Sequence, residues 1–308
     1  ESLVLFERYE NSLHAQLLEL RATFPAVGVL PIIGDVTVPE RVAEVFRQTG
    51  PDLVFHAAAH KHVPLMELNP KEAVRNNVLG TRIVAEAALA AGVDRFVLIS
   101  TDKAVNPTSV MGVTKRIAEQ VIQGFNHRGR TKYTVVRFGN VLGSNGSVVP
   151  LFTEQIRKGG PITVTDPEIK RFFMTIPEAV QLVLQASVIG QGGDVFVLDM
   201  GEQIKIVDLA RNMIVLSGLV PGKDIDIQFT GLRPGEKLYE ELFDESEQTE
   251  STAHEKIDRA VSPLAQADLD SWLDQLGTNL LQWNEDDLLL QLRQRIPSFT
   301  PTVPQRVS

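Results

Sequence analysis

Phe96-Val97-Leu98-Ile99-Ser100-Thr101-Asp102-Lys103 is a short apolar run closed by hydroxyls, an acid and an amine, and a helical stretch, Ser109-Val110-Met111-Gly112-Val113-Thr114-Lys115-Arg116, soon follows it. The run reads as a strand buried on both faces, and the polar residues then stand at its C-terminal end. Working outward, comparable runs lie at Leu3 to Phe6, Val27 to Ile33, Leu53 to His56 and Tyr133 to Phe138. Each is separated from the next by enough residues for a helix, the first by a pattern through Leu13, Leu17, Leu18 and Leu20. Strand and helix in alternation predict a doubly wound parallel α/β sheet. Helix starts are marked by Asn69-Pro70, read as an N-cap with proline at the first helical position, and by Thr175-Ile176-Pro177-Glu178.

Past Gly139 the pattern loosens into short strands at Ile162 to Thr165, Val195 to Leu198 and Ile225 to Phe229, with a helix over Ile206 to Leu216. The reading is a dinucleotide-binding unit at 1–140 and 175–200, a smaller interleaved substrate lobe at 141–174 and 201–245, and a C-terminal tail at 246–308. The tail carries amphipathic stretches at Leu269 to Leu281 and Leu288 to Leu292 before a proline-rich end, and suits packing or an interface better than chemistry.

The chain has 308 residues, 43% of them hydrophobic, ample for a buried core. Thirty Lys and Arg against 39 Asp and Glu, a formal charge of -9, argue against a nucleic-acid surface while leaving room for a local basic pocket. With no cysteine there is neither a disulfide framework nor a thiolate metal site, and no metal is expected. No apolar run reaches the roughly 18 residues of a membrane span, so the chain as given is expected to be soluble and cytoplasmic.

Four strand ends carry groups suited to a ligand. Glu7 closes the first strand, where a doubly wound sheet places an acid for the ribose hydroxyls of a dinucleotide. The glycine-rich phosphate loop of such folds lies about 20 residues earlier, so it is expected upstream of Glu1. Gly34-Asp35-Val36 follows the second strand and Ala57-Ala58-Ala59 the third, small residues that let backbone approach a pyrophosphate. Ser100, Thr101, Asp102 and Lys103 follow the fourth.

Met111 and Lys115, four apart on one helix face, occupy the spacing at which the extended short-chain dehydrogenase/reductases carry Tyr and Lys. With Thr101-Asp102-Lys103 before them and Lys61-His62-Val63-Pro64-Leu65-Met66-Glu67 after the alanine run, the chain resembles the UDP-N-acetylglucosamine 4,6-dehydratases of the polysaccharide-biosynthesis branch. The likeness is greatest to the large membrane-anchored members with methionine in place of tyrosine. It runs from Leu3 to about Ile257 and includes Arg137-Phe138-Gly139-Asn140-Val141-Leu142-Gly143-Ser144, Pro161 to Asp166, Lys170 to Met174, and Leu232-Arg233-Pro234-Gly235-Glu236-Lys237.

The resemblance implies a Rossmann-like sheet lacking its first strand and glycine-rich loop. It implies catalytic roles for Thr101, Asp102, Lys103, Met111 and Lys115. Cofactor contacts would fall at Glu7, Arg8, Asp35, Val36, Ala57, Ala58, Ala59, Lys61, Asn76, Ser100 and Lys115, and substrate contacts at Lys61, His62, Asn140, Ser144, Arg171, Arg233 and Glu236. The cofactor would be NAD, since Glu7 repels a 2'-phosphate, with NADP admitted if Arg8 lies over that ribose. The implied partners are a UDP-sugar and further copies of the chain, with membrane attachment only through an upstream region that anchors this domain on the cytoplasmic side of the inner membrane. In the implied reaction, C4 is oxidised, Lys103 removes the C5 proton, Asp102 protonates the departing C6 hydroxyl, and the hydride returns to C6. Both groups need shifted pKa values for these tasks, which burial under substrate would supply. A thioether cannot accept the C4 hydroxyl proton, so a water beside Thr101 is expected to do so, with Met111 shaping the pocket. Two alternatives stand beside this one: a UDP-sugar 4-epimerase, which has no use for an acid–base pair at C5 and C6, and a nucleotide-sugar-binding protein without turnover.

Overall fold

A computed structural model describes residues 2–144, 146–261 and 268–301, so the last part of the proline-rich end, 302–308, lies outside the described residues. The strands β1 (Ser2–Glu7), β2 (Gly28–Ile33), β3 (Leu53–His56), β4 (Arg95–Ile99), β5 (Lys132–Arg137) and β6 (Asp194–Leu198) alternate with helices, as the apolar runs predict. β3, β4, β5 and β6 pair in parallel, and β4 to β6 are buried almost throughout, as parallel strands covered on both faces should be. Two further strands, β7 (Gln248–Ser251) and β8 (Ile257–Val261), extend this sheet in antiparallel fashion beyond β6. They arise from the polar stretch after Glu245, where no strand is expected. β1 and β2 form a separate parallel pair, and β3 ends the larger sheet. The apolar side chains beside this break are unusually exposed, Leu30 at 48%, Ile33 at 53% and Phe55 at 41%. The fold is nonetheless the doubly wound, Rossmann-like α/β arrangement, with the break falling between β1 and β3.

Helix α1 (Glu10–Thr23) joins β1 to β2, and α2 (Pro39–Thr49) packs on α3 (Thr81–Ala91). Asn69 does stand before the helix Pro70–Val74, but its amide donates back to the Leu65 carbonyl and does not cap the following turn. Thr175 behaves as read, its hydroxyl accepting from the Glu178 amide ahead of α5 (Ile176–Ile189). The smaller lobe pairs Ile162–Val164 with Ile227–Phe229 and Lys170–Arg171 with Ile204–Lys205, around a core of Phe152, Ile169, Ile206 and Ile214. The tail helices Leu269–Asn279 and Glu285–Arg295 place Leu273, Leu276, Leu288 and Leu292 in the main core, so this part of the tail packs on the sheet domain.

Helix α4 (Val110–Phe125) packs against β5 and touches the tail helix Glu285–Arg295. Val113, Ile117, Val121 and Phe125 recur at helical spacing and are all buried in the main core. Its first turn is fixed twice, by the Ser109 hydroxyl on the Gly112 amide and by a Glu67 carboxylate oxygen that accepts from the Val110 amide at 2.7 Å. Gly112 is required by a close approach: a Cβ there would lie 2.2 Å from the Lys103 carbonyl oxygen.

On its other side α4 carries Glu119, which with Arg137 forms the fully buried centre of an ionic cluster. Arg137 donates to Glu119 and Glu247 at 2.9 Å each, and Arg116 donates to the same two carboxylates at 3.0 and 2.8 Å. Ser100 adds a short 2.5 Å hydrogen bond to Glu119. Burial by itself would raise the Glu247 carboxyl, but hydrogen bonds and charge from Arg137, with Arg116 behind, hold it at about 2.

Two outcomes follow from this packing. Gly112→Ala, which would stabilise an ordinary exposed helix by about 1 kcal/mol, is expected to destabilise this protein in denaturant unfolding, because the turn Asp102–Ala104 has to move. Glu247→Gln is expected to cost about 3–5 kcal/mol at neutral pH, leaving buried Arg137 short of a counter-ion. A carboxylate depressed from 4.5 to about 2 contributes stability that is complete above pH 4.5 and lost as pH falls through that interval. The gap between parent and Glu247→Gln should therefore narrow between pH 4.5 and 2 in thermal unfolding followed across that range.

Candidate active site

Two clefts open at the C-terminal ends of the strands. The first, about 200 Å³, is lined by Phe6, Glu7 and Arg8 after β1, Gly34, Asp35 and Val36 after β2, and Ala57 to His60 with Asn76 around the end of β3. Eight residues singled out as cofactor contacts thus meet in one place: Glu7, Arg8, Asp35, Val36, Ala57, Ala58, Ala59 and Asn76. The Glu7 carboxylate accepts from the Tyr9 amide, and Asp35 accepts from the amide and hydroxyl of Thr37. Arg8 reaches over to Asp35 at 3.3 Å. Burial would raise the Asp35 carboxyl, but the Thr37 hydrogen bonds and the Arg8 charge hold it below its ordinary value. Asn76, itself buried, donates to the Ala58 carbonyl and so braces the alanine turn. Acids at two strand ends and a wall without side chains fit the adenosine half of a dinucleotide.

The second cleft, about 120 Å³, lies between the sheet and the loop after Gly231. Lys103, Val63, Pro64, Arg171, Arg233, Glu236, Lys237 and Glu240 are among the residues that line it. The segment from Ala57 to Pro64 borders both clefts in turn. Four basic side chains and two carboxylates in so small a volume suit a ligand that is anionic and rich in hydroxyls.

The turn after β4 contributes Lys103 to the second cleft. β4 delivers Thr101, whose hydroxyl caps the single turn Asp102–Ala104 and donates to Asp102 Oδ1 at 2.9 Å. Asp102 is wholly buried, its other oxygen has no hydrogen-bond partner, and Gly139 lies against it: a Cβ at 139 would sit 3.0 Å from Oδ2. The Lys103 ammonium donates to Asp102 at 2.9 Å and to the Asn140 side chain at 3.4 Å, with Glu240 at 3.5 Å. Burial alone would lower its pKa, but Asp102 and Glu240 outweigh that and raise it, Arg171 opposing them. In this state Lys103 is therefore an ammonium, the form opposite to the one a base requires, where a lowered value was expected under bound substrate.

The remaining candidates sit elsewhere. Lys115 is buried and donates to the Ile99 carbonyl at 2.7 Å; burial, partly offset by Glu119, lowers it to about 8. Ser100 turns away from both clefts to Glu119, so it braces the strand end from below. Met111 packs with Met66, Ala73 and Val110 and lines neither cleft, so it fills an apolar pocket behind the site. Lys61 and His62 are exposed on the bordering segment, with the His62 ring close against Gly146, and Ser144 lies in the adjoining turn; none of the three lines a cleft. Arg171 is buried, its guanidinium 3.5 Å from Glu236 and 3.8 Å from Glu240. Glu240 and Glu119 were not singled out from the sequence, and Lys237 entered it only as the last residue of the Leu232–Lys237 motif. Glu240 stands three residues beyond that motif, a signal that could have found it.

Among the described residues no group of His, Asp and Glu could hold a metal ion, and no helix is long and apolar enough to cross a membrane. The profile of a family described as "Polysaccharide biosynthesis protein" matches residues 1–262. The capsular polysaccharide biosynthesis protein CapD of Staphylococcus aureus is 56% identical over 84% of the chain, which spans 43% of that relative's length. A UDP-glucose 4-epimerase of Rickettsia bellii is 40% identical over 70% of the chain and 62% of its own length. The X-ray structure of Pen from Bacillus thuringiensis superposes with a TM-score of 0.77 at 38% identity, covering 85% of this chain and 81% of Pen. With the match running through both clefts and the turn Asp102–Ala104, the chain belongs to the polysaccharide biosynthesis protein family.

Proposed function

We propose that this chain is the catalytic part of an NAD(P)-dependent nucleotide-sugar 4,6-dehydratase that acts on UDP-N-acetylglucosamine or a related UDP-hexose. The observation that carries the reading is the pairing of buried Asp102 with Lys103, which lines the same cleft as Arg171 and Arg233. A bidentate guanidinium suits a diphosphate, and two arginines on one wall suit the diphosphate of a UDP-sugar. That would leave the hexose over Lys103 and Asn140. A nicotinamide dinucleotide, when bound, supplies oxidation at C4 and the reduction that closes the cycle. Glu7 and Asp35 would hold its adenosine end, and the Ala57-Ala58-Ala59 turn would let the backbone approach it.

Lys103 and Asp102 then divide the elimination between them. The two catalytic forms, neutral amine and protonated carboxyl, differ from the resting ion pair only by movement of one proton across the 2.9 Å hydrogen bond from Nζ to Oδ1. The amine takes the C5 proton, which the C4 ketone has made acidic, and the carboxyl gives its proton to the leaving C6 hydroxyl. Asp102 Oδ2, buried and without a partner, is the oxygen left to meet that hydroxyl. Thr101 holds the carboxylate in place through Oδ1. The epimerase alternative, favoured by the Rickettsia relative, needs neither group at C5 or C6. Conversion of the sugar with loss of one water separates the two readings.

In the full-length protein, Lys103→Ala is expected to slow exchange of the C5 hydrogen into deuterium oxide by at least ~100-fold. Asp102→Asn should keep more of that exchange and fail at loss of water. Rapid-quench mass spectrometry distinguishes these, and equal exchange in the parent and the lysine variant would remove Lys103 from the role. The chain by itself, which has no glycine-rich turn after its first strand, is expected to bind NAD at least ~100-fold more weakly than the full-length protein in calorimetry.

A further inference from the structure

Among the described residues that line the first cleft, Arg8 is the one permanent cation. His60 adds no charge there at neutral pH, because burial, with the charge of Arg8 behind it, lowers its imidazole. Arg41 lies close to Gly34 but is committed elsewhere, donating to the Ile33 carbonyl and to Glu44. Arg8 has a fixed partner. Asp35 Oδ1 accepts from the amide and the hydroxyl of Thr37 at 2.8 Å each, which aims Oδ2 at the Arg8 guanidinium, 3.3 Å away. Glu7, the residue before Arg8, is held at the end of β1 by the Tyr9 amide at 2.8 Å. The strand ends thus present two carboxylates and a single guanidinium, and the guanidinium is turned to the carboxylate of the neighbouring strand.

We propose that Asp35 is a specificity-determining residue for the cofactor: by engaging Arg8 it withdraws from the adenosine ribose the one cation that could pair with a 2'-phosphate, and so favours NAD over NADP. The proposal rests on the reading of the first cleft as the adenosine site. With Arg8 turned to Asp35, the ribose meets the Glu7 carboxylate, which accepts from hydroxyls and repels a phosphate. Without the Asp35 charge the guanidinium is released, and its fork of donors suits a phosphate. Arg8 is 57% exposed and Asp35 25%, so their pair is a modest interaction that a competing anion can break. It biases the choice of dinucleotide and does not close the cleft to NADP. Glu7 alone is therefore an incomplete account of the preference, since the same strand end supplies a cation that only Asp35 keeps occupied.

The test is a double-mutant cycle in the full-length protein, read by calorimetry as the ratio of the NADP and NAD dissociation constants. Contacts that the two dinucleotides share, such as those to the adenine, cancel in that ratio. Physiological salt screens charges separated by more than about 8 Å, which limits direct repulsion between Asp35 and the phosphate. Asp35→Asn, of the same shape and still able to accept from Thr37, should move the ratio ~5-fold toward NADP. In an Arg8→Ala background the same change should move it less than ~2-fold, because there is no guanidinium to release. Equal shifts with and without Arg8 would reduce Asp35 to a plain repulsive charge, and no shift toward NADP in the parent background would leave the choice to Glu7. Either result overturns the proposal, and weaker binding of both dinucleotides by Glu7→Ala would keep the adenosine site where it is. If Glu7→Ala and Asp35→Asn both leave the two dissociation constants at their parent values, the cleft is not the adenosine site and the cofactor reading falls with the proposal.

Discussion

A guanidinium with no solvent contact, that of Arg137, is the constraint around which the rest is arranged. A buried charge is tolerable only when its partners are fixed in place, and here the partners come from two distant parts of the chain: Glu119 on α4, and Glu247 with the Leu242 carbonyl in the segment ahead of β7. Satisfying Arg137 therefore sets the height of α4 against β5 and draws the segment after the substrate loop onto the sheet. Ser100 is tied to the same Glu119, so the end of β4 is referenced to that point as well. The turn that holds Asp102 and Lys103 begins at the next residue.

This arrangement separates what must be rigid from what must meet ligand. Behind the turn lie a saturated ionic cluster and an apolar pocket filled by Met66 and Met111. At the turn itself lie groups with capacity left over: a buried, unpartnered oxygen on Asp102, another on Glu240, and a lysine shared among three acceptors. Unsatisfied buried polar atoms are rare in folded proteins. Of the four among the described residues, two border Lys103.

How much of this the sequence makes legible depends on whether the decisive contacts are local. The buried strands β3 to β6 announce themselves as apolar runs, and the acids and small residues at their ends are legible because a parallel sheet brings successive strand ends together. The strands β7 and β8 do not. Gln248-Thr249-Glu250-Ser251 is wholly polar and exposed, as suits an edge strand blunted against further pairing, and its partner is recognised only by register, with Arg259 meeting Glu250 across the pair. Side-chain direction is likewise invisible from order alone. Ser100 and Thr101 are neighbours, yet alternation sends one down to Glu119 and the other to Asp102. Glu240 escapes notice because its meaning comes from Lys103, distant in the chain and close in space.

The break between β1 and β3 carries a consequence for how the molecule breathes. No backbone hydrogen bond of the sheet crosses that line among the described strands, and the unit β1–α1–β2 is attached by side chains such as Phe6 and Val36 and by the seat of α2 on α3. Opening such a unit exposes little that is not already wet, whereas opening β4 to β6 exposes the core and the Arg137 cluster together. Amide protons in β1 and β2 thus belong to a local, low-energy exchange process, and those in β4 and β5 to global unfolding. The half of the first cleft built on Glu7 and Asp35 is the pliant half, hinged on a lobe in which the turn Asp102–Ala104 keeps its shape.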